Sequence, residues 1–244
     1  MLEGYTFIGE LMGTATLIVL GDGVVAGVLL KGSKAENAGW GAITAGWAFA
    51  VMVGVFVAGA FGSAQGDINP AVTVAKAILA GDYQFVVPMI AAQLIGAIIG
   101  AIVVWLAYLP HWAGTENKAA KLGVFCTAPA IRSSGCNVLT EAIGTIVLVL
   151  GVCCIFGVAK TPGATIAGGL GPYLVGALVW GIGLSLGGPT GYAINPARDL
   201  GPRIAHAFLP IAGKGGSDWG YSWVPVIGPL IGAVLAVLIY RVAL

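Results

Sequence analysis

The chain has 244 residues, of which 58% are hydrophobic and only 9% are charged, and its mean hydropathy is +0.97. No ordinary soluble domain has this composition. The net charge of +1 offers no basic face for nucleic acid, so no nucleic-acid partner is expected. Composition and charge together indicate an all-α membrane protein.

Six stretches are long and apolar enough to cross a bilayer, since a transmembrane helix needs about 20 predominantly apolar residues. The segment before the first stretch lacks the basic region of a signal peptide, so we expect that stretch to remain as a span. In chain order the predicted spans are 5–30, 42–61, 85–109, 138–158, 166–186 and 223–242.

The tripeptide Asn-Pro-Ala occurs twice, each time inside a glycine-rich apolar stretch. Asn is a favoured N-cap, and Pro suits the first helical position because the N–H that it lacks would be unpaired there. Each copy therefore predicts the start of a helix, and the segments 69–80 and 195–208 are too short to cross alone. We predict two half-helices that re-enter the membrane, with the amide NH₂ of each Asn free to donate outward. The motif residues are Asn69, Pro70, Ala71, Asn195, Pro196 and Ala197.

An internal repeat organises the chain. Segment 9–14 resembles 140–145, the Asn-Pro-Ala copies recur, and 94–97 returns as 230–233, all in the same order. The sequence predicts one channel domain made of a first repeat (about 1–112) and a second (about 136–244), linked by a loop at 113–135. Because each repeat holds three spans, the second enters the membrane upside down, and the two half-helices meet near the midplane. Non-helical backbone at that depth implies a water-filled cavity.

The third and sixth spans each carry small residues at four-residue spacing. Such stripes let helix backbones approach closely in lipid. The structural interpretation, close helix packing, is the one we adopt for Ala92, Gly96, Gly100, Gly228, Gly232 and Ala236.

Paired Asn-Pro-Ala motifs in inverted repeats resemble the major intrinsic protein family, the aquaporins and aquaglyceroporins, over essentially the full length. The stretch 188–203, in which Asp199 directly follows Arg198, resembles the glycerol-facilitator branch. The resemblance implies an aquaporin-like right-handed bundle of six transmembrane helices plus two re-entrant half-helices. It also implies a homotetramer in the plasma (cytoplasmic) membrane, without a cofactor or enzymatic activity. The five positions that separate solute-conducting members also match, at Tyr108, Asp199, Arg203, Pro225 and Val226.

The same resemblance implies a selectivity filter at Trp47, Gly183, Tyr192 and Arg198. Arg198 would donate to hydroxyl oxygens, while Trp47 and Tyr192 would face the carbon skeleton of a polyol. A water-only filter usually has His where Gly183 falls, so Gly183 is expected to leave room for the solute. Backbone carbonyls before each Asn would form an acceptor ladder, and they belong to Gly66, Asp67, Ile68, Gly191 and Ala193.

The predicted function is passive conduction of small uncharged solutes, namely glycerol, similar polyols and water. The half-helix N-termini and the charge of Arg198 are expected to exclude protons and cations. Asp67 stands where the family commonly has His, and its carboxylate requires a new partner or water. We hypothesise that this change extends the solute range to protonated small organic acids such as lactic acid.

Acidic residues within spans are functional candidates by default. The resemblance implies that Glu10 and Glu141, which match across the repeats, are buried and accept hydrogen bonds from the re-entrant loops. Asp22 is a departure from the family, and the sequence leaves open whether it lines the outer vestibule or pairs with Lys31 or Lys34.

Inverted repeats, broken helices and membrane acids also occur in secondary active transporters, in which Glu10 and Asp22 would be coupling sites. That alternative, ion-coupled transport, remains open on the sequence, as does a closed junction protein. Cys126 and Cys136 either pair with each other or, with the remaining two cysteines, act as apolar fillers. His206 is either packed or makes conduction pH-sensitive.

Overall fold

The computed structural model describes residues 6–157 and 169–243. Within these ranges the chain is helical, with no strand. The described helices are α1 (Phe7–Leu29), α2 (Trp40–Ala60), α3 (Pro70–Ala80), α4 (Val86–Ala107), α5 (Leu109–Gly114), α6 (Lys118–Phe125), α7 (Ser134–Gly157), α8 (Leu170–Leu186), α9 (Pro196–Phe208) and α10 (Val224–Ala243).

The membrane spans agree with the sequence prediction to within a few residues. Among the described residues, five helices are long and apolar enough to cross a membrane, namely α1, α2, α4, α7 and α10. The predicted fifth span corresponds to α8, whose 17 residues extend about 25 Å. Residue 5 of the first predicted span, 158 of the fourth and 166–168 of the fifth lie outside the described residues.

Two short helices begin where the Asn-Pro-Ala motifs predict. Asn69 caps α3 and Asn195 caps α9, each in an extended conformation, and a proline occupies the first helical position. The residues before the caps, Ile68 and Ile194, have φ angles of 44° and 42°. A β-branched residue at positive φ is a genuine outlier, and here it recurs at the same position of both repeats. The strained backbone therefore aims each half-helix in the same way.

The segment between the repeats is not an extended loop. It contains part of α5 and all of α6, whose first turn is capped by the side chain of Asn117. Trp112 is buried and its ring stacks on Phe125 with centroids 5.6 Å apart. This aromatic contact holds the connection against the bundle.

The glycine stripes pack as predicted. Helix α4 packs on α1, and α10 packs on α7, so the two repeats use equivalent pairs. A Cβ atom at Gly100 would lie 2.6 Å from the carbonyl oxygen of Ala15, and one at Gly228 would lie 2.6 Å from Cβ of Glu141. Any larger residue at these two positions would push the paired helices apart.

Large apolar side chains cover the outside of the bundle. Phe49, Leu184 and Leu238 are each more than half exposed, on α2, α8 and α10. Such a surface suits contact with lipid rather than water. Polar groups concentrate inside, along the two half-helices and the loops that precede them.

Candidate conduction pore

The two half-helices meet through a reciprocal pair of hydrogen bonds. Nδ2 of Asn69 donates to the carbonyl oxygen of Ile194 (2.8 Å), and Nδ2 of Asn195 donates to that of Ile68 (2.9 Å). Each Asn also caps its own helix through Oδ1. The sequence analysis expected amide groups that are free to donate and missed this exchange. An amide nitrogen carries two hydrogens, so each Asn keeps one beyond the cross-repeat bond.

The re-entrant loops are held from behind by two buried glutamates. Glu10 accepts from the backbone N–H groups of Asp67 (3.0 Å) and Ile68 (2.8 Å), and Glu141 accepts from those of Ala193 (3.0 Å) and Ile194 (2.8 Å). The hydrogen bonds that the resemblance implied are therefore present. Buried loop N–H groups need such partners because no water reaches them in lipid.

The first glutamate has two further partners, which sequence reasoning missed. Ser63 Oγ and Gln93 Nε2 each donate to Glu10 at 2.7 Å, and Gln93 also donates to Thr73 Oγ1 at 2.9 Å. A signal was available, because a buried polar residue such as Gln93 in an apolar span requires a partner. The first loop is thus tied to both α1 and α4.

A narrow cavity of about 70 Å³ runs past the meeting point of the half-helices. Its polar side is formed by the loop segments 65–69 and 192–195, which contain both Asn caps. Its other side is apolar and belongs to four spans, with the residues Leu17, Val51, Val55, Leu148, Val152, Val175 and Val179. A cavity with one polar and one apolar wall suits a solute that has hydroxyls on one side and carbon on the other.

Three of the four predicted filter side chains lie together at one end of this cavity. Trp47, Tyr192 and Arg198 all line it and are almost fully buried. The guanidinium carbon of Arg198 lies 4.0 Å from the ring centroid of Trp47. The sequence analysis assigned Arg198 and Trp47 to different parts of the solute and did not anticipate that the guanidinium covers the ring face, in a cation–π contact.

The space beside Gly183 is filled by an aromatic ring. A Cβ atom at Gly183 would lie 2.8 Å from Cζ of Tyr192 and 2.9 Å from Cγ2 of Thr44. The carbonyl oxygen of Gly183 accepts from Nε1 of Trp40 at 3.0 Å, and the Trp40 ring packs edge-on against Tyr192. Gly183 therefore makes room for Tyr192, and the room for a solute that the sequence analysis expected at this glycine is occupied.

Asp22 has a partner that neither sequence alternative named. It is fully buried on α1, and its Oδ1 lies 3.6 Å from Nη1 of Arg198. It has no exposed surface that could line an outer vestibule, and no ion pair joins it to Lys31 or Lys34. Both expectations for Asp22 were wrong because its side chain faces α9, which approaches α1 only in the folded bundle.

Asp199 does not line the cavity and instead binds residues that surround α9. Its Oδ1 binds Nε (2.9 Å) and Nη2 (2.8 Å) of Arg203, and its Oδ2 accepts from both N and Oγ1 of Thr127 at 2.7 Å. Arg203 further donates to the carbonyls of Thr127, Ser217 and Asp218. The Asp199–Arg203 pair thus ties α9 to the two long loops around it.

The end of α9 is closed by a lysine from the following loop. Nζ of Lys214 donates to the carbonyls of His206 (2.6 Å), Ala207 (2.9 Å) and Leu209 (2.7 Å). These are carbonyls that the end of a helix leaves unpaired. Loss of water around the ammonium lowers the pKa of Lys214 from its usual range.

Asp67 has found the new partner that the sequence required. Its carboxylate accepts from Oγ1 of Thr73 at 2.9 Å and forms an ion pair with Lys76. Lys76 also donates to the carbonyl oxygen of Gln65 at 3.1 Å. Asp67 and Lys76 both border the cavity.

The remaining candidates lie away from the cavity. His206 is buried, with Nδ1 2.9 Å from Oγ of Ser217 and its ring against Phe125, so it is packed. Cys126 and Cys136 are both free thiols, which contradicts the pairing alternative. Only Cys126 is buried, and Cys136 and Cys154 are exposed, so the filler interpretation holds for Cys126 alone among these three.

A helical bundle with two half-helices joined at their capped N-termini defines a membrane protein built around a central pore. The sequence profile of the major intrinsic protein family matches residues 4–240, and the chain belongs to this family. It is 56% identical over 236 residues to the probable glycerol uptake facilitator protein of Thermotoga maritima, covering 96% of this chain and 97% of that protein.

The chain also resembles a second bacterial transport protein and a solved structure. The D/L-lactic acid transporter of Lactiplantibacillus plantarum is 39% identical over 237 residues, covering 95% of this chain and 94% of that protein. Among solved structures, the aquaglyceroporin from Plasmodium falciparum superposes with a TM-score of 0.80 at 29% identity, covering 96% of this chain and 93% of the other. The fold is therefore that of an aquaglyceroporin, as the sequence predicted.

Proposed function

We propose that the chain is a passive membrane channel for glycerol, similar small polyols and water. The observation that carries this proposal is the cavity beside the two Asn caps, which has one polar and one apolar wall. The similarity of the chain to a glycerol uptake facilitator and to an aquaglyceroporin supports the same solute class. The solute passes through chemically unchanged. Conduction requires that hydrogen-bond partners in the pore replace the water molecules that hydrate the solute.

Hydroxyl groups would exchange water for fixed partners along the polar wall. Oxygens of the solute accept from Arg198 and from the remaining amide hydrogens of Asn69 and Asn195. Hydroxyl hydrogens donate to backbone carbonyls of the two loops. The carbonyls of Ile68 and Ile194 already accept from the Asn pair, so each offers one lone pair instead of two. The carbonyls assigned to the ladder are those of Gly66, Asp67, Ile68, Gly191 and Ala193.

The filter would consist of Trp47, Gly183, Tyr192 and Arg198. Carbon atoms of the polyol pass along the rings of Trp47 and Tyr192 while Arg198 holds a hydroxyl. Since 4.0 Å separates the guanidinium carbon from the Trp47 ring, no solute fits between these two groups. The solute therefore passes beside this stacked pair, and Gly183 acts by seating Tyr192.

Protons and cations are excluded where the half-helices meet. The N-termini of α3 and α9 both point at the Asn pair, and each carries a partial positive charge. The same oriented dipoles exclude cations in other pores. A continuous chain of water is also interrupted, because the amide groups of Asn69 and Asn195 only donate to what lies in the pore.

Glycerol-driven swelling of proteoliposomes tests the proposal. Vesicles with the purified protein should swell faster than empty vesicles when glycerol is supplied without an ion gradient, and an uncoupler should leave the rate unchanged. The alternative, a secondary active transporter, predicts flux that an ion gradient drives and an uncoupler abolishes. Absence of swelling, or dependence on a gradient, would overturn passive conduction.

A second candidate function is conduction of protonated small organic acids such as lactic acid. The observation that favours it is the relative named D/L-lactic acid transporter, together with Asp67 in the lining of the cavity. Replacing Asp67 by His removes the carboxylate that is paired with Lys76 and should lower the ratio of lactic acid flux to glycerol flux at low pH. An unchanged ratio would remove the idea.

We further propose that the channel assembles as a homotetramer with one pore per subunit. The extensive apolar outer surface of the spans supports burial against lipid or neighbouring subunits. Native mass spectrometry from detergent should give a mass of four chains. A monomer that conducts glycerol would contradict this assembly and leave the channel function intact.

A further inference from the structure

Asp22 is a buried charged group beside the constriction that does not line the cavity. It has no exposed surface, and neither of its oxygens has a hydrogen-bond partner in the described part of the chain. The cation within reach is Arg198, with Nη1 3.6 Å from Oδ1. A carboxylate buried without hydrogen bonds is costly unless a charge compensates it. Arg198 is therefore the charge that compensates the buried carboxylate of Asp22.

The charged side chains at and around Arg198 form two pairs. Asp199 and Arg203 form a closed pair, with two contacts of 2.8 and 2.9 Å and further bonds to the surrounding loops. That leaves Asp22 as the counter-charge of Arg198. With all four groups ionised, the cluster carries no net charge. Without Asp22 it would carry one positive charge beside the constriction.

We propose that Asp22 is a specificity-determining residue, which balances the charge of Arg198 and so keeps small anions from using the path of neutral polyols. This inference rests on the proposed function, since it concerns what else the same constriction rejects. Asp22 acts through Arg198 and does not touch the solute. It corrects the expectation that Arg198 contributes a full positive charge to the pore.

The need for such a counter-charge follows from the half-helices. The N-termini of α3 and α9 make the centre of the pore positive, which repels cations and attracts anions. An uncompensated guanidinium nearby would add to that attraction. Asp22 removes the added attraction, and a neutral polyol is insensitive to the net charge. Selectivity against anions and selectivity against cations thus have different sources in this protein.

The variant Asp22→Asn tests the charge without changing the size of the side chain. Proteoliposomes are loaded for two measurements, glycerol-driven swelling and the membrane potential under a potassium nitrate gradient. Nitrate is used because it has no neutral form at neutral pH that could cross the lipid. The ratio of nitrate to glycerol permeability should rise by about tenfold. The matched control is Glu116→Gln, which removes one exposed acid and should leave the ratio unchanged.

A second pair of variants separates charge from shape. Arg198→Gln leaves Asp22 unbalanced and should shift the potential in the opposite direction, toward potassium. The double variant Asp22→Asn with Arg198→Gln restores neutrality, so its nitrate-to-potassium ratio should return to within about twofold of the starting protein. A double variant that keeps the nitrate permeability of Asp22→Asn would overturn the inference, since Asp22 would then act through packing.

The outcomes distinguish this inference from the proposed function. If the unaltered protein gives no glycerol flux, passive polyol conduction fails. If it conducts glycerol and Asp22→Asn leaves the nitrate ratio unchanged, only the role of Asp22 fails. Should Asp22→Asn lose glycerol flux, Asp22→Cys places there the residue type that the second repeat has at the matching Cys153. Loss of glycerol flux in both variants would make Asp22 a folding residue and overturn its role in specificity.

Discussion

The two half-helices are built alike and charged differently. Both begin at a Pro after an Asn cap, and both follow an Ile at positive φ. In both preceding loops, backbone N–H groups donate to a buried glutamate. Each Asn donates to a carbonyl oxygen in the loop of the other repeat. These shared features concern the backbone. They build the path and do not choose the solute.

The differences lie in the side chains. Helix α3 carries a single charged residue, Lys76, which is paired with Asp67 beside the cavity. Helix α9 carries Arg198, Asp199 and Arg203, and α1 supplies Asp22 to Arg198, whereas the matching position on α7 is the uncharged Cys153. The symmetric parts of the molecule therefore determine that it conducts. We expect the asymmetric parts to determine what it conducts.

The largest effect is expected from removing either glutamate behind the loops. Glu10→Ala and Glu141→Ala each leave two buried N–H groups unpaired, which should lower the free energy of unfolding by about 2–6 kcal/mol. Glu10→Ala should be the worse of the two, because Ser63 and Gln93 also lose their acceptor. Thermal denaturation of the purified protein in detergent measures both.

Exposed Glu116 provides the control for this pair, since Glu116→Ala should change the midpoint little. Equal stability of Glu141→Ala and the unaltered protein would show that the second loop does not depend on its glutamate. The symmetry between the half-helices would then be one of sequence and not of energetics.

A smaller and local effect is expected at the constriction. Gly183→Ala places a methyl group 2.8 Å from Cζ of Tyr192, so the ring must shift into the path and glycerol flux should fall by roughly tenfold. Gly181→Ala on the same helix is the control, because its Cβ meets nothing within 4 Å. Stopped-flow swelling gives both rates.

Adding Tyr192→Ala to Gly183→Ala should recover part of the glycerol flux by removing the displaced ring. A Gly183→Ala variant that conducts normally would mean that Tyr192 does not limit passage. The asymmetric part of the comparison would then rest on Arg198 and Asp22 alone.

A loss of stability smaller than that of the glutamate variants is expected from the Asn caps taken singly. Asn69→Ala removes a cap and one cross-repeat hydrogen bond, for a total of about 2 kcal/mol, and Asn195→Ala should cost the same. Because the two bonds support one junction, the double variant should cost less than the sum. Unfolding midpoints of the three variants form the test. Strict additivity would show that the half-helices are held independently.

Much of the fold was predictable because membrane helices can be recognised in a sequence by their length and hydropathy. The starts of α3 and α9 were predicted to the residue, since an Asn followed by a Pro has a local physical reason to begin a helix. The hydrogen bonds of Glu10 and Glu141 to the loops also agreed with expectation. Helix α6 inside the connection was missed, although Asn117 offered a capping signal.

The constriction was less predictable because its contacts are long-range. Asp22 was expected among the lysines that follow α1, and it instead faces Arg198, 176 positions away in the chain. Gly183 was expected to open a space, and the ring of Tyr192 fills it. No local pattern in the sequence records which side chain occupies the space beside a glycine.

The sequence by itself determined the class of protein, the spans, the two half-helices and the inverted relation of the repeats, because each follows from local hydropathy, capping chemistry or the counting of spans. Only the tertiary structure decided the exchange of hydrogen bonds between the Asn caps, the stacking of Arg198 on Trp47 and the pairing of Asp22. These depend on how helices approach one another across the bundle. Charge balance at a pore is a property of neighbours in space, and neighbours in space are what the chain order alone does not give.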